Sequence, residues 1–96
     1  MAIYVILDND IRDAAKYEAY KEAVPALVAR HGGEYLARDG KFEVLAGNWK
    51  PNRIVIFKWP SRAAMQAFQN DPDYQPWKKL RESVATTTNL MVIEGL

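Results

Sequence analysis

Histidine occurs once in this chain, at His31, and Gly32 and Gly33 follow it directly. An imidazole titrates near neutrality and suits general acid–base work. A histidine in the last turn of a helix, ahead of glycines that accept the left-handed conformation, closes that helix instead. The helix-end reading needs no further cause and is favoured. With no second histidine and no cysteine, no metal site is expected at His31, and disulfides and thiolate nucleophiles are excluded. Asp8, Asp10 and Asp13 resemble the start of a calcium loop but lack its glycine and distal glutamate, so they read as caps and solvated charge. Ser61 and Ser83 have no nucleophile elbow around them. The glycines form no phosphate-cradling fingerprint. No cofactor motif is present, and no cofactor is expected.

Arg53 is the second candidate. It is a charge at the head of the apolar run "RIVIFKW", and Trp49 precedes it across "KPN". An arginine beside a tryptophan can clamp a small anionic or aromatic ligand. Tyr17, Tyr20 and Tyr74 offer amphipathic walls whose hydroxyls would orient a polar group. The expected pocket lies between helices and sheet near the start of that strand, and the expected ligand is a small carboxylate or phenol. A simpler reading pairs Arg53 with Asp8 and packs Trp49 at a dimer seam. His31 and Arg53 are the two side chains with a catalytic reading.

The elements that position these residues follow from periodicity. "AIYVIL", Ala2 to Leu7, is short, apolar and β-branched, and reads as a strand with both faces buried. Asp10 is placed to N-cap a helix carrying Tyr17, Tyr20, Val24, Leu27 and Val28 on one face, with a kink or restart at Pro25 and its end at His31. Gly33 to Arg38 reads as a second strand, "DG" at Asp39 as a turn, "KFEVLAG" as a further extended run and "NWKPN" as a loop. Arg53 to Trp59 is the strongest strand. Ser61 then caps a helix with Ala64, Ala67 and Phe68 on one side. "NDPDYQP" breaks it, and "WKKLRESV" resumes a helical pattern with Trp77, Leu80, Arg81 and Val84 in register. Asn89 to Glu94 is the last strand.

The order is β-α-β-β-α-β over a single domain of residues 1–96, which predicts an α+β ferredoxin-like sandwich: a four-stranded antiparallel sheet, order 4-1-3-2, with helices on one face. That topology gathers Asp8, Asn9, Arg38, Arg53 and Asn89 at one edge and His31, Glu34, Lys58 and Glu94 at the other. Both faces of the central strands are apolar. Ile3, Val5 and Leu7 oppose Tyr4 and Ile6; Val55, Phe57 and Trp59 oppose Ile54 and Ile56; Leu90 and Val92 oppose Met91 and Ile93. The helices cover one face only, and a wet apolar sheet is an aggregation liability. A homodimer packed through the helix-free face solves this.

Composition narrows the function classes. Hydrophobic residues make up 49% of the chain and the net charge is +1. That balance argues against a nucleic-acid partner, which is met by a basic patch or stripe. No segment approaches the roughly 20 apolar residues of a membrane span, and the first residues lack the basic region of a signal peptide. The expectation is a cytoplasmic protein with no membrane partner.

"HGGEYLARDG", "EVLAGNWKPNRIVIFKWPS", "DPDYQPWKKLR" and "NLMVIEG" together resemble the domain of unknown function 1330 family, nearly end to end. The resemblance implies the dimeric α/β-barrel superfamily, in which two ferredoxin-like sheets pair. Superfamily relatives include cofactor-independent monooxygenases, muconolactone isomerases, dehydratases and haem-dependent members. The family brings no general reaction, so no catalytic residue is carried over. Lys58 stands where its pattern has an acidic residue, so no general base is carried over there. The resulting expectation is a small dimer with a pocket for a small organic acid or aromatic compound, acting as a cofactor-independent enzyme or a binder. The competing class is a non-enzymatic ligand-binding, accessory or structural dimer.

Overall fold

The computed structural model describes residues 1–96. Its elements are β1 (Ile3–Ile11), α1 (Ala14–Arg30), β2 (Glu34–Arg38), β3 (Ile54–Trp59), α2 (Arg62–Gln69), α3 (Gln75–Val84) and β4 (Ala85–Glu94). The strands form one antiparallel sheet in the order β2-β3-β1-β4. This is the predicted ferredoxin-like arrangement, with the second helical position divided between α2 and α3. The expected edge cluster forms: Asp8 lies opposite both Ile54 and Asn89, and Arg38 opposite Val55. At the other edge Glu34 pairs with Lys58, and Glu94 with Ile3.

β1 and β4 are longer than expected. The threonine run Thr86–Thr88 suits a pleated surface because β-branched side chains are stiff and pack well there. Beyond a register shift between Asp8 and Asn9, Thr87 pairs with Asn9, Thr86 with Asp10 and Ala85 with Ile11. That pairing holds Asp10 in the strand, so Asp10 does not cap α1. Asp13 does, accepting from the Lys16 amide at 3.1 Å. Arg12 binds the free carbonyls of Glu82 and Ser83 at 3.3 and 3.1 Å, tying the end of α3 to the start of α1.

α1 runs unbroken through Pro25, contrary to the expected restart. A proline inside a helix costs about 3 kcal/mol. Here burial of Val24, Leu27 and Val28 on both sides of it holds the helix against the sheet. Its end is the expected one. Gly32, at φ +80°, donates to Ala29 at 3.0 Å and Gly33 to Val28 at 3.0 Å, the paired bonds of a Schellman cap with His31 as the last half-helical residue. Gly33 is also a point of close approach: a Cβ there would lie 2.6 Å from the Trp59 ring.

"KFEVLAG" forms no strand. Asp39 takes φ +60°, and the chain beyond it makes no ladder with β2. Residues 39–53 form one long connection, and Phe42, Val44, Leu45 and Trp49 on it are exposed. With these side chains in solvent, no burial on this chain drives the alternating pattern into a sheet. The core lies between the helices and the sheet, around Ile3, Val5, Val24, Val28, Trp59 and Phe68.

Candidate functional site

The core does not fill the space between helices and sheet. A cavity of about 350 Å³ remains there. Its floor is the helix-side face of the sheet: Val5 and Leu7 from β1, Val55 and Phe57 from β3, Leu90 and Val92 from β4. α1 contributes Tyr17, Tyr20, Lys21 and Val24, which share one helical face over about two turns. Met65 and Phe68 come from α2, and Tyr74, just ahead of α3, lies against Phe68 with ring centres 4.2 Å apart. Aromatic packing closes the Trp59 end. Asn9 and Leu90 line the other end, where Arg81 of α3 donates to Thr87 of β4 at 3.3 Å.

Of the predicted residues, Arg53, Tyr17, Tyr20 and Tyr74 meet at this cavity. The tyrosines form a chain. Tyr17 and Tyr20 stack at 5.1 Å, and the hydroxyls of Tyr20 and Tyr74 share a hydrogen bond of 2.8 Å. Burial pushes the Tyr20 and Tyr74 phenols above their ordinary range and that of Tyr35 up to about 12. Around neutral pH they therefore act as neutral hydrogen-bonding groups and not as bases. Arg53 is not paired with Asp8 as expected. Its guanidinium binds Asp39 and donates to the Tyr17 hydroxyl at 3.3 Å. The Arg53 hydrogen bond holds the Asp39 carboxyl below its ordinary range. Asp8 is occupied otherwise. Fully buried, it accepts from the Asn52 and Arg53 amides at 2.9 and 3.1 Å and from Trp49 Nε1 at 3.2 Å, so it anchors the end of the long loop.

Two predicted residues lie elsewhere. Trp49 is on the helix-free side of the sheet, beside Ile6, Asn89 and Met91, in a shallower hollow of about 250 Å³. The reason is the pleat: Asp8, which holds it, points away from the helices. His31 sits outside the cavity, at the end of α1. Its Nε2 is 2.8 Å from Asp71, which also receives Arg30 at 3.0 Å. The His31 bond, then the Asp73 amide and Arg30, lower the Asp71 carboxyl to about 2. This cluster latches α1 to the turn between α2 and α3.

Sequence reasoning named none of Lys21, Gln69, Lys78 and Arg81 for the site, and it put Asn9 and Arg38 at the Arg53 edge without assigning them to the pocket. With Arg53, five cations line the cavity and no carboxylate or imidazole does. A legible signal existed on α3, where Tyr74, Lys78 and Arg81 recur at four- and three-residue spacing and so share a face. Such a site can hold an aromatic body between rings and apply a positive field to an oxyanion in a partly dry space. It offers no side chain suited to abstracting a proton from a weak acid around neutral pH through a carboxylate or imidazole.

Comparison with known proteins places this geometry. The chain matches, over residues 2–96, the model of the family described as domain of unknown function (DUF1330). A protein of unknown function from Rhodopseudomonas palustris, RPA0582, is 24% identical, with TM-score 0.81 over 99% of this chain and 82% of that one. SnoaB, a cofactor-independent oxygenase from Streptomyces nogalater, is 15% identical, with TM-score 0.69 over 99% of this chain and 93% of that one. A dimeric ferredoxin-like protein of unknown function from Thermobifida fusca is 18% identical, with TM-score 0.61 over 97% and 88%. At these identities the likeness is one of fold. No curated protein matches the chain.

Proposed function

The chain belongs to the domain of unknown function (DUF1330) family, and from that premise, which brings a fold but no reaction, we propose that it is a cytoplasmic homodimer whose helix-side cavity binds a small aromatic acid or phenol as its anion. One observation carries this reading: a cavity walled by aromatic rings and lined by five cations and no acid. An apolar cavity of about 150 Å³ holds one benzene ring. The volume here, about 350 Å³, therefore suits a two-ring compound. No helix is long and apolar enough to cross a membrane.

The homodimer joins the helix-free faces. Leu36, Met91 and Ile93 are exposed there, and Trp49 extends the patch. A second copy would cover all of them. The dimeric neighbour from Thermobifida fusca supports this assembly.

The chemistry of choice is cofactor-independent. Cations around a phenolate or enolate keep it deprotonated, the form that reacts with oxygen unaided, and the reading is supported by the fold's being that of a cofactor-independent oxygenase from Streptomyces nogalater. The second reading is a binder without catalysis. It is favoured by one observation, the lack of a carboxylate or imidazole base at the cavity.

Thermal denaturation with a panel of one- and two-ring carboxylates and phenols tests the binding reading. A ligand at 100 times its Kd contributes about 2.7 kcal/mol, which raises Tm by on the order of 10 °C in a domain of this size. Two-ring acids such as 2-naphthoate are expected to give the largest shifts and aliphatic dicarboxylates none. A panel in which no aromatic acid or phenol moves Tm overturns it. Mass change of bound phenols in air then separates enzyme from binder.

A further inference from the structure

We infer that the ligand's anionic oxygen is received by Lys78 and Arg81 of α3 with the side-chain amide of Asn9, and that Arg53 is a positioning residue that holds the wall. This rests on the cavity being an anion site, as proposed above, and names which of its five cations does the work.

The cations differ in what they already hold. Arg53 is committed to Asp39 and to the Tyr17 hydroxyl. Lys21 is committed to Asp39 and Glu18, both at 3.3 Å. Arg38, exposed at the end of β2, lies over the Tyr35 ring at 4.8 Å. Lys78 and Arg81 have no carboxylate partner. An unpaired cation facing a low-dielectric cavity is the one free to pair with an incoming anion.

Arg81 carries a second mark. Its Nε is shielded from solvent and bonds no acceptor. Buried donors of folded proteins nearly always find a partner, and an orphan is destabilising. Arg81 lines the cavity, and a small turn of its side chain would present this donor to a ligand oxygen there.

The third donor follows from hydrogen-bond direction. Arg81 Nη1 donates to Thr87 Oγ1 at 3.3 Å, and Thr87 Oγ1 donates its single proton to Asn9 Oδ1 at 2.8 Å. Asn9 is 1% exposed, and this chain of bonds fixes its oxygen toward Thr87. Its NH₂ is left without a protein acceptor, at the cavity lining. The fixed Asn9 and Arg81 thus converge from β1 and α3 on the end of the cavity near Leu90. The Tyr20–Tyr74 hydroxyl pair lies on the same Tyr74–Lys78–Arg81 face. An aromatic acid would enter with its rings among Tyr20, Phe57 and Val92 and its carboxylate at Arg81.

The test is calorimetric titration of 2-naphthoate against the uncharged 2-naphthamide, on the full chain and on Lys78→Met, Arg81→Met and Arg53→Met. Wild type is expected to prefer the acid at least tenfold. Arg81→Met should abolish that preference while leaving the amide within twofold, and Lys78→Met should reduce it several-fold. Arg53→Met should weaken both compounds alike and keep the preference. Arg81→Lys, which keeps the charge but loses the fork, joins Lys78→Met as the test should Arg81→Met not fold. A preference that survives both α3 substitutions, or is lost only in Arg53→Met, overturns the assignment. Equal binding of acid and amide by wild type overturns it while the cavity reading stands. Binding of neither overturns both.

Discussion

The two faces of the sheet are built from similar residues and meet different surroundings. Toward the helices, Ile3, Val5, Val55 and Trp59 are at most 6% exposed. On the other side, Leu36, Met91 and Ile93 are each just over half exposed. Alternating apolar residues therefore specify a sheet that needs cover on both sides, but the chain covers one. The covered side is not packed solid either, because the helices close over Trp59 and Phe68 and leave the cavity beyond. One face thus has a roof with space beneath it, and the other has neither.

Five substitutions break or sharpen this contrast. Trp59→Ala empties the closed end of the covered face, where the ring lies 5.2 Å from Phe68, and is expected to cost about 3–5 kcal/mol in urea denaturation. Met91→Glu leaves the isolated chain almost unchanged, since Met91 is exposed there. In the proposed dimer it buries an unpaired carboxylate, which should weaken association by about 3 kcal/mol or more, roughly a hundredfold. Sedimentation should then show twice the chain mass for wild type and a monomer for the variant; a wild-type monomer at micromolar concentration contradicts the dimer.

Gly33→Ala probes the close approach at the roof. A Cβ 2.6 Å from Trp59 forces the ring or α1 to shift, at about 1–3 kcal/mol by thermal or chemical melting. His31→Gln is the mildest. It keeps a hydrogen bond to Asp71 and should cost at most about 1 kcal/mol, the scale of a helix-terminus interaction. The Asp71 carboxyl, held down at about 2, gives the latch a pH signature. The unfolded chain takes up this proton at higher pH than the native one. The contribution is therefore complete above about pH 4 and is lost as pH falls toward 2. Asp71→Asn should flatten that acid limb in urea midpoints taken from pH 6 to pH 2.5.

Much of this architecture was legible because it rests on local pattern. Gly32 and Gly33 mark the end of α1, Ser61 caps α2 through the Ala64 amide at 3.1 Å, and the two-proline break separates α2 from α3. Pairing across the sheet was less legible. The extension of β1 to Ile11 depends on β4 and so moved the cap from Asp10 to Asp13. "KFEVLAG" carries a strand pattern without a partner strand. In the site, Arg53 and three tyrosines were reachable from topology. The partner of Arg53 was within the same reach, since Asp39 follows Arg38 opposite Val55 on the neighbouring strand, but "DG" there reads only as a turn. Of the two readings of Trp49, the structure departs from the pocket one and agrees with the helix-free face, because the pleat at Asp8 decides where the loop is tied. Arg81 stood in register with Trp77, Leu80 and Val84, and a cation on an apolar face was itself the clue.

The most direct test of what the two faces do is a titration of methyl-labelled protein with 2-naphthoate, followed by NMR. Shifts and ligand-to-methyl contacts are expected at Val5, Val24, Val55 and Val92, which line the cavity. The methyls of Ile54, Ile56 and Ile93, across the sheet, should stay unmoved. Contacts confined to those isoleucines, or no contact at the four valines with ligand in excess, would contradict a binding site beneath the helices.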